Sequence, residues 1–114
     1  MNTFGLLFET MAVRDLRIYA DAIDAKVYHY RDKDELECDA VIERRDGSYG
    51  LVEIKLGGDY AISEAQITLN ALAKKINTDK VGKPSFRMVL TAIGKYALRL
   101  EDGTLVVPIG CLKH

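Results

Sequence analysis

The dipeptide Asp46-Gly47 constrains the fold more than any other feature, because it lies between two segments with the alternating pattern of β-strands. Asp-Gly is a strong signal for a tight hairpin turn, since glycine readily adopts the positive φ angle that such turns need. We therefore expect a strand over residues 36–43 to pair antiparallel with a strand over residues 49–56. Counting outward from the turn sets Asp39 roughly opposite Ile54 or Lys55, with a slip of one residue open.

The remaining segments predict a mixed α/β domain. Helical periodicity covers residues 4–23, and a capping-box pattern at Ser63 to Gln66, with Ile62 and Ile67 as a hydrophobic staple, predicts a second helix that ends near Asn77. Strand patterns occupy residues 26–30, 86–93, 96–100 and 104–109, the last two as a C-terminal β-hairpin. At 114 residues the chain fits one domain with helices packed against a mixed central sheet.

Charged residues interrupt this pattern at positions that we expect to be buried or central. Glu53 and Lys55 share one face of an otherwise apolar strand, and Glu9 lies on the apolar side of the first helix. A carboxylate on the buried side of a helix needs a partner. Strict alternation in the second strand predicts one face made of Leu36, Cys38, Ala40 and Ile42, and an opposite face made of Glu37, Asp39, Val41 and Glu43.

Composition excludes several classes of protein. Sixteen basic and seventeen acidic residues give a formal net charge of −1, so any binding of nucleic acid must rest on a local patch. The two cysteines are far apart and have neither metal-ligand nor redox spacing, which is typical of reduced thiols in a cytoplasmic protein. No apolar run approaches the roughly 20 residues that span a bilayer. Helical patterning that begins within a few residues of Met1 predicts a domain cut from a longer protein.

Asp39 followed by Glu53-Ile54-Lys55 resembles the D-(x)n-E-x-K signature of the PD-(D/E)XK nuclease superfamily, with Glu9 as its frequent first acid. More specifically, the segment from Gly5 to about Ile76 resembles the C-terminal domain that follows an AAA-type ATPase module in many bacterial and archaeal proteins. This resemblance implies a restriction-endonuclease-like αβββαβ core. It also implies that residues 1–114 are a single nuclease-like domain from the C-terminal part of an ATPase-containing protein.

The resemblance further implies a Mg²⁺-dependent nuclease that acts on DNA, or less readily on RNA, through a metal-activated water. Asp39 and Glu53 would hold Mg²⁺ or Mn²⁺, with the main-chain carbonyl of Ile54 as a third ligand. Lys55 would orient or deprotonate the water and stabilise charge on the phosphate. Glu9 would bind metal through water or hold a second ion.

Three accessory candidates have simpler explanations beside a functional one. The capping box explains Gln66, and a solvated strand position explains Glu37. Arg31 belongs to a group of loop cations that could contact phosphates, for which a solvated turn is the commoner explanation. His29, between two tyrosines, is more often a strand histidine than a ligand.

Two rival hypotheses stay open. One is a catalytically silent nuclease fold that serves as a binding or oligomerisation module of its ATPase, which the neutral charge favours. The other is a structural α/β domain with ion-paired charges, which predicts that Lys55 bonds to Glu53 or Asp39 in an occluded site.

Overall fold

The computed structural model describes residues 3–76 and 82–112, and they form two long helices, one six-stranded sheet and a short 3-10 helix. The elements in chain order are α1 (Thr3–Ala22), β1 (Ala25–Arg31), β2 (Glu37–Arg44), β3 (Tyr49–Lys55), α2 (Asp59–Ile76), β4 (Phe86–Thr91), β5 (Leu98–Arg99), β6 (Leu105–Pro108) and the 3-10 helix (Ile109–Cys111). The predicted end of the second helix at Asn77 lies outside the described residues. Within the described ranges, neither long helix is long and apolar enough to cross a lipid bilayer.

The sheet is mixed, and β3 lies inside it. The strand order is β1-β2-β3-β4-β6-β5, with antiparallel pairs at β1/β2, β2/β3 and β5/β6 and parallel pairs at β3/β4 and β4/β6. The helix α2 connects β3 to its parallel neighbour β4, as a crossover must. The mixed α/β class and the C-terminal hairpin of β5 and β6 are confirmed.

The two helices cover opposite faces of the sheet. The core on the α1 side is built from Phe8, Ala12, Leu16, Ala20, Ala25, Ala40, Ile42, Val52, Ile54, Leu90 and Val107. The core on the α2 side is built from Cys38, Val41, Tyr49, Leu51, Ala65, Leu69, Leu72 and Val89. Since β3 contributes to both cores, all of its residues except Lys55 are buried. A charge on β3 therefore leaves water, and its partners have to come from the protein.

The predicted hairpin between β2 and β3 is present, with its register shifted by one residue. Gly47 adopts a φ of 90°, and the turn closes where the Arg44 amide donates to the Ser48 carbonyl at 2.9 Å. The ladder pairs Glu43 with Tyr49 and ends where Ala40 pairs with Val52. Extending this register sets Asp39 opposite Glu53, and not opposite Ile54 or Lys55 as the count from the turn predicts.

A β-bulge in β2 reverses the alternation of its side chains. The pairing of β1 with β2 shifts between Tyr28↔Val41 and Tyr30↔Cys38, so His29 opposes two residues, Asp39 and Ala40. An extra residue in one strand turns every later side chain to the other face. The prediction that Leu36, Cys38, Ala40 and Ile42 share a face is therefore wrong, because Leu36 and Cys38 lie on the α2 side and Ala40 and Ile42 on the α1 side.

The predicted start of the second helix is also wrong. Since α2 begins at Asp59, Ser63 and Gln66 lie inside it and do not form a capping box. The predicted staple fails as well, because Ile67 is 72% exposed. Gly58 explains the early start, since its positive φ turns the chain directly out of β3 and its carbonyl accepts a hydrogen bond from the Ile62 amide at 3.0 Å.

Candidate metal site

The candidate site lies where β2 and β3 separate. Beyond the Ala40–Val52 pair, β2 continues along β1 as far as Glu37, whereas β3 continues along β4 as far as Lys55. The two strands thus diverge, and Asp39, Glu53 and Ile54 occupy the gap between them. We call these three residues the fork.

Two reciprocal hydrogen bonds hold the carboxylates of the fork. The Asp39 amide donates to Oε2 of Glu53 at 3.0 Å, and the Ile54 amide donates to Oδ2 of Asp39 at 2.8 Å. Each side chain thus accepts a bond from a backbone group of the opposite strand, in a part of the sheet where the strands no longer pair with each other. Because main-chain donors fix both side chains, the two carboxylates are positioned beside each other before any ligand binds.

Burial and proximity perturb the ionisation of Glu53. Its side chain is only 7% exposed, and burial raises its pKa from 4.5 to about 7. The neighbouring Asp39 carboxylate raises that pKa as well, while the hydrogen bond from the Asp39 amide and the charge of Lys55 act in the opposite direction. A buried carboxylate that lies beside a second carboxylate is stabilised by a cation.

Glu9 faces the fork from α1, as its place on the apolar side of the helix predicts. It is half-buried, and its pKa is raised first by burial and then by the charge of Asp39, with a smaller contribution from Glu37. The charges of His29 and Lys55 lower the same pKa. The structure therefore brings Glu9 and Lys55 into electrostatic reach of the fork.

Lys55 makes its ion pair outside the fork. Its Nζ lies 3.5 Å from Oε1 of Glu64 on α2, and its side chain is 29% exposed. Among the residues that the structure describes, no ion pair reaches Asp39 or Glu53. The pairing that a purely structural role predicts, Lys55 bonded directly to one of these two acids, is not observed.

The accessory candidates separate into one residue near the site and two outside it. Glu37 bonds to Nε2 of His29 at 3.2 Å and contributes to the raised pKa of Glu9. Arg31 forms an exposed pair with Glu35 at 3.8 Å. The side chain of Gln66 hydrogen-bonds Asp102, so its contact is with the turn between β5 and β6.

Two residues that the sequence did not single out as site residues also belong to this neighbourhood. His29 comes close because it opposes the bulge, and Glu64 on α2 lies 3.5 Å from Lys55. A bulge leaves no local signal in an alternating sequence, so the sequence did not show that His29 approaches the fork. Glu64 could have been found from the Gly57-Gly58 pair, which permits a helix to start at once.

The chain is similar to a known protein family over nearly its whole length. Residues 4–112 match the family described as Domain of unknown function (DUF4143). The chain belongs to the DUF4143 family. DUF4143 domains typically follow AAA ATPase domains, which agrees with the ATPase context that the sequence predicts. No curated protein and no solved structure matches the chain significantly.

The oxygen donors of this DUF4143 domain suit a hard divalent cation. Within residues 3–76 and 82–112, no three side chains of the His, Cys, Asp and Glu types converge as a ready ligand group. Mg²⁺ does not require one, since it usually binds through one or two carboxylates and keeps several waters. Asp39, Glu53 and the carbonyl of Ile54 thus fit Mg²⁺ or Mn²⁺, while the nitrogen and sulfur ligands typical of structural zinc are missing from the set.

Proposed function

We propose that this DUF4143 domain is a divalent-metal-dependent phosphodiesterase that hydrolyses nucleic acid, with DNA as the first expectation. One observation carries the proposal: backbone amides hold the carboxylates of Asp39 and Glu53 side by side in the fork. Burial and the charge of Asp39 raise the pKa of Glu53 there. Perturbed titratable groups of this kind concentrate at functional sites. The order of elements from α1 to β4 supports a restriction-endonuclease-like core as part of the same proposal.

The fork would hold the ion through Asp39, Glu53 and the carbonyl of Ile54. When bound, a divalent ion lowers the pKa of its water and stabilises charge on a phosphate. Glu9, which carries a raised pKa beside Asp39, would accept a hydrogen bond from a water in the same space.

Lys55 would bind the substrate. In hydrolysis, a water oxygen bonds to phosphorus while the bond from phosphorus to a sugar oxygen breaks, and that sugar oxygen takes up a proton. The ammonium group of Lys55 would donate to a non-bridging phosphate oxygen, where negative charge develops. Its pair with Glu64 at 3.5 Å is long and partly exposed, so exchanging this partner for a phosphate costs little.

A second function has an observation of its own. Leu7, Met11 and Ile18 are spaced to lie along one face of α1, and they are 55%, 43% and 45% exposed. Exposed apolar side chains in a row are typical of a protein-binding surface. Together with the ATPase domains that accompany the family, this row favours a catalytically silent interaction module as the alternative.

A cleavage assay separates the two functions. Labelled DNA duplexes and single strands would be incubated with the purified chain and Mg²⁺ or Mn²⁺, and the products resolved on denaturing gels. We expect Asp39→Asn, Glu53→Gln and Lys55→Met each to lower the rate on the order of 10²-fold or more. The charge-matched controls are Glu101→Gln in the exposed turn between β5 and β6 and Lys26→Met at the exposed start of β1. Neither residue contributes to the fork, and both variants should cut like the wild type.

The wild-type result decides the enzyme proposal. Cleavage that requires the metal and fails in the Asp39, Glu53 and Lys55 variants supports it. A wild-type chain that neither cuts any of these substrates nor binds Mn²⁺, measured as loss of the free-ion electron paramagnetic resonance signal, overturns it and leaves the interaction module.

A further inference from the structure

An open groove runs along the flank of α1 that adjoins Glu9. It encloses about 390 Å³ and is lined by Glu9, Thr10, Val13, Arg14 and Arg17. Glu9 lines this α1 groove and also lies within electrostatic reach of Asp39, so the groove adjoins the neighbourhood of the fork.

Arg14 and Arg17 are three residues apart and therefore neighbours on α1, roughly 140° and 80° around the helix axis from Glu9. A helix rises 1.5 Å per residue, so Arg14 and Arg17 lie roughly 7.5 Å and 12 Å farther along the axis than Glu9. Both side chains are exposed, and neither forms an ion pair among the residues that the structure describes.

Some of the other cations of the described chain are already engaged. Salt bridges join Arg31 to Glu35, Arg45 to Asp24, and Lys75 to both Asp32 and Asp34. With a net charge of −1 and several acids around the fork, an approaching polyanion would be repelled unless a local cation attracted it. Arg14 and Arg17 are two guanidinium groups in the groove next to the site, and neither has an ion-pair partner within residues 3–76 and 82–112.

We propose that Arg14 and Arg17 bind the phosphodiester backbone of the nucleic acid whose scissile bond lies at the fork. The proposal rests on the proposed function, which it extends by naming the path of the strand. Guanidinium groups bind phosphate oxygens through paired N–H donors, and such contacts position nucleic acid without reading its sequence. The α1 groove therefore binds without base specificity and sets where the strand crosses the fork.

The test measures binding in EDTA, where no metal-dependent cleavage occurs. Fluorescence anisotropy would follow a labelled DNA duplex and an RNA duplex of the same sequence across a series of salt concentrations. The variant Arg14→Gln/Arg17→Gln is compared with Arg45→Gln/Arg99→Gln, which loses the same charge from the hairpin turn and from β5 and changes no residue that lines the groove. Circular dichroism confirms that each double variant keeps the helix content of the wild type.

We expect the groove variant to lose about tenfold or more in DNA affinity and the control variant to lose much less. The slope of log K against log salt should fall by about 1.8, which is two phosphate contacts at about 0.9 each. If the groove variant loses the same affinity for RNA, the arginines contact the phosphate groups that DNA and RNA share. If it loses affinity only for DNA, the nucleic acid that binds the groove is DNA. Equal losses in the two double variants, an unchanged salt slope, or no binding by the wild type would overturn the inference.

The two proposals fail in distinguishable ways. Binding that depends on Arg14 and Arg17, without any cleavage in Mg²⁺ or Mn²⁺, rejects the phosphodiesterase and keeps the groove. Cleavage by the wild type with unchanged binding by the groove variant rejects the groove and keeps the phosphodiesterase.

Discussion

Replacing the buried carboxylate of Glu53 by an amide should stabilise the metal-free protein at high pH. In the folded chain the pKa of Glu53 is about 7, against an ordinary value of 4.5. The folded state thus holds this proton more tightly than the unfolded state does. The resulting stabilisation is fully present below pH 4.5 and is lost as the pH rises through about 7.

The difference between these two pKa values sets the size of the effect. At about 1.4 kcal/mol per pKa unit, ionising Glu53 in the folded chain costs up to roughly 3 kcal/mol of unfolding free energy. Glutamine keeps an oxygen that can accept the bond from the Asp39 amide, and it removes the charge that Asp39 repels. Glu53→Gln should therefore be more stable than the wild type by up to roughly 3 kcal/mol at about pH 8 and nearly equal at about pH 4.5.

Urea denaturation in EDTA, followed by circular dichroism at both pH values, measures this difference. Other titrating groups are shared by the two proteins, so they cancel when the variant is compared with the wild type. The control Glu101→Gln changes an exposed turn residue and should give no pH-dependent difference. If Glu53→Gln raises the unfolding free energy equally at the two pH values, or lowers it at high pH, then ionisation of Glu53 does not destabilise the folded chain.

Two further predictions test the packing around the fork. Burial raises the pKa of the Cys38 thiol to about 12. A thiol reagent such as Ellman's should therefore label Cys111 in the native chain and Cys38 only after urea unfolds it. Equal labelling rates for the two cysteines in the native chain would contradict the buried position of Cys38. Gly50→Ala should cost about 1–3 kcal/mol by urea denaturation, because the added methyl would lie 2.0 Å from the Phe86 ring. The companion variant Gly50→Ala/Phe86→Ala removes that clash, and a clash is refuted if the Gly50→Ala step costs the same in both backgrounds.

Local sequence signals were sufficient for the order of elements and for the residue types of the site. The hairpin at Asp46-Gly47, the central position of β3 and the inward position of Glu9 all follow from periodicity and turn chemistry, which are properties of short segments. The same signals named Asp39, Glu53 and Lys55 as neighbours, because a hairpin must bring its two strands together.

The exact arrangement depended on contacts between segments. β2 must pair with β1 on one side and β3 on the other, and the bulge at Asp39 and Ala40 belongs to its pairing with β1, which no window of β2 alone reveals. The one-residue register shift, the start of α2 at Asp59 and the pairing of Lys55 with Glu64 likewise depend on how whole elements pack.

The sequence by itself thus determined that Asp39, Glu53 and Lys55 lie near one another and that Glu9 lies on the inward side of α1. Only the tertiary structure decided that two of them face each other across separated strands, held by the amides of Asp39 and Ile54. The physical reason is that buried polar groups must find partners. Where β2 and β3 diverge, the carboxylates of Glu53 and Asp39 accept hydrogen bonds from backbone amides that no longer pair between these strands.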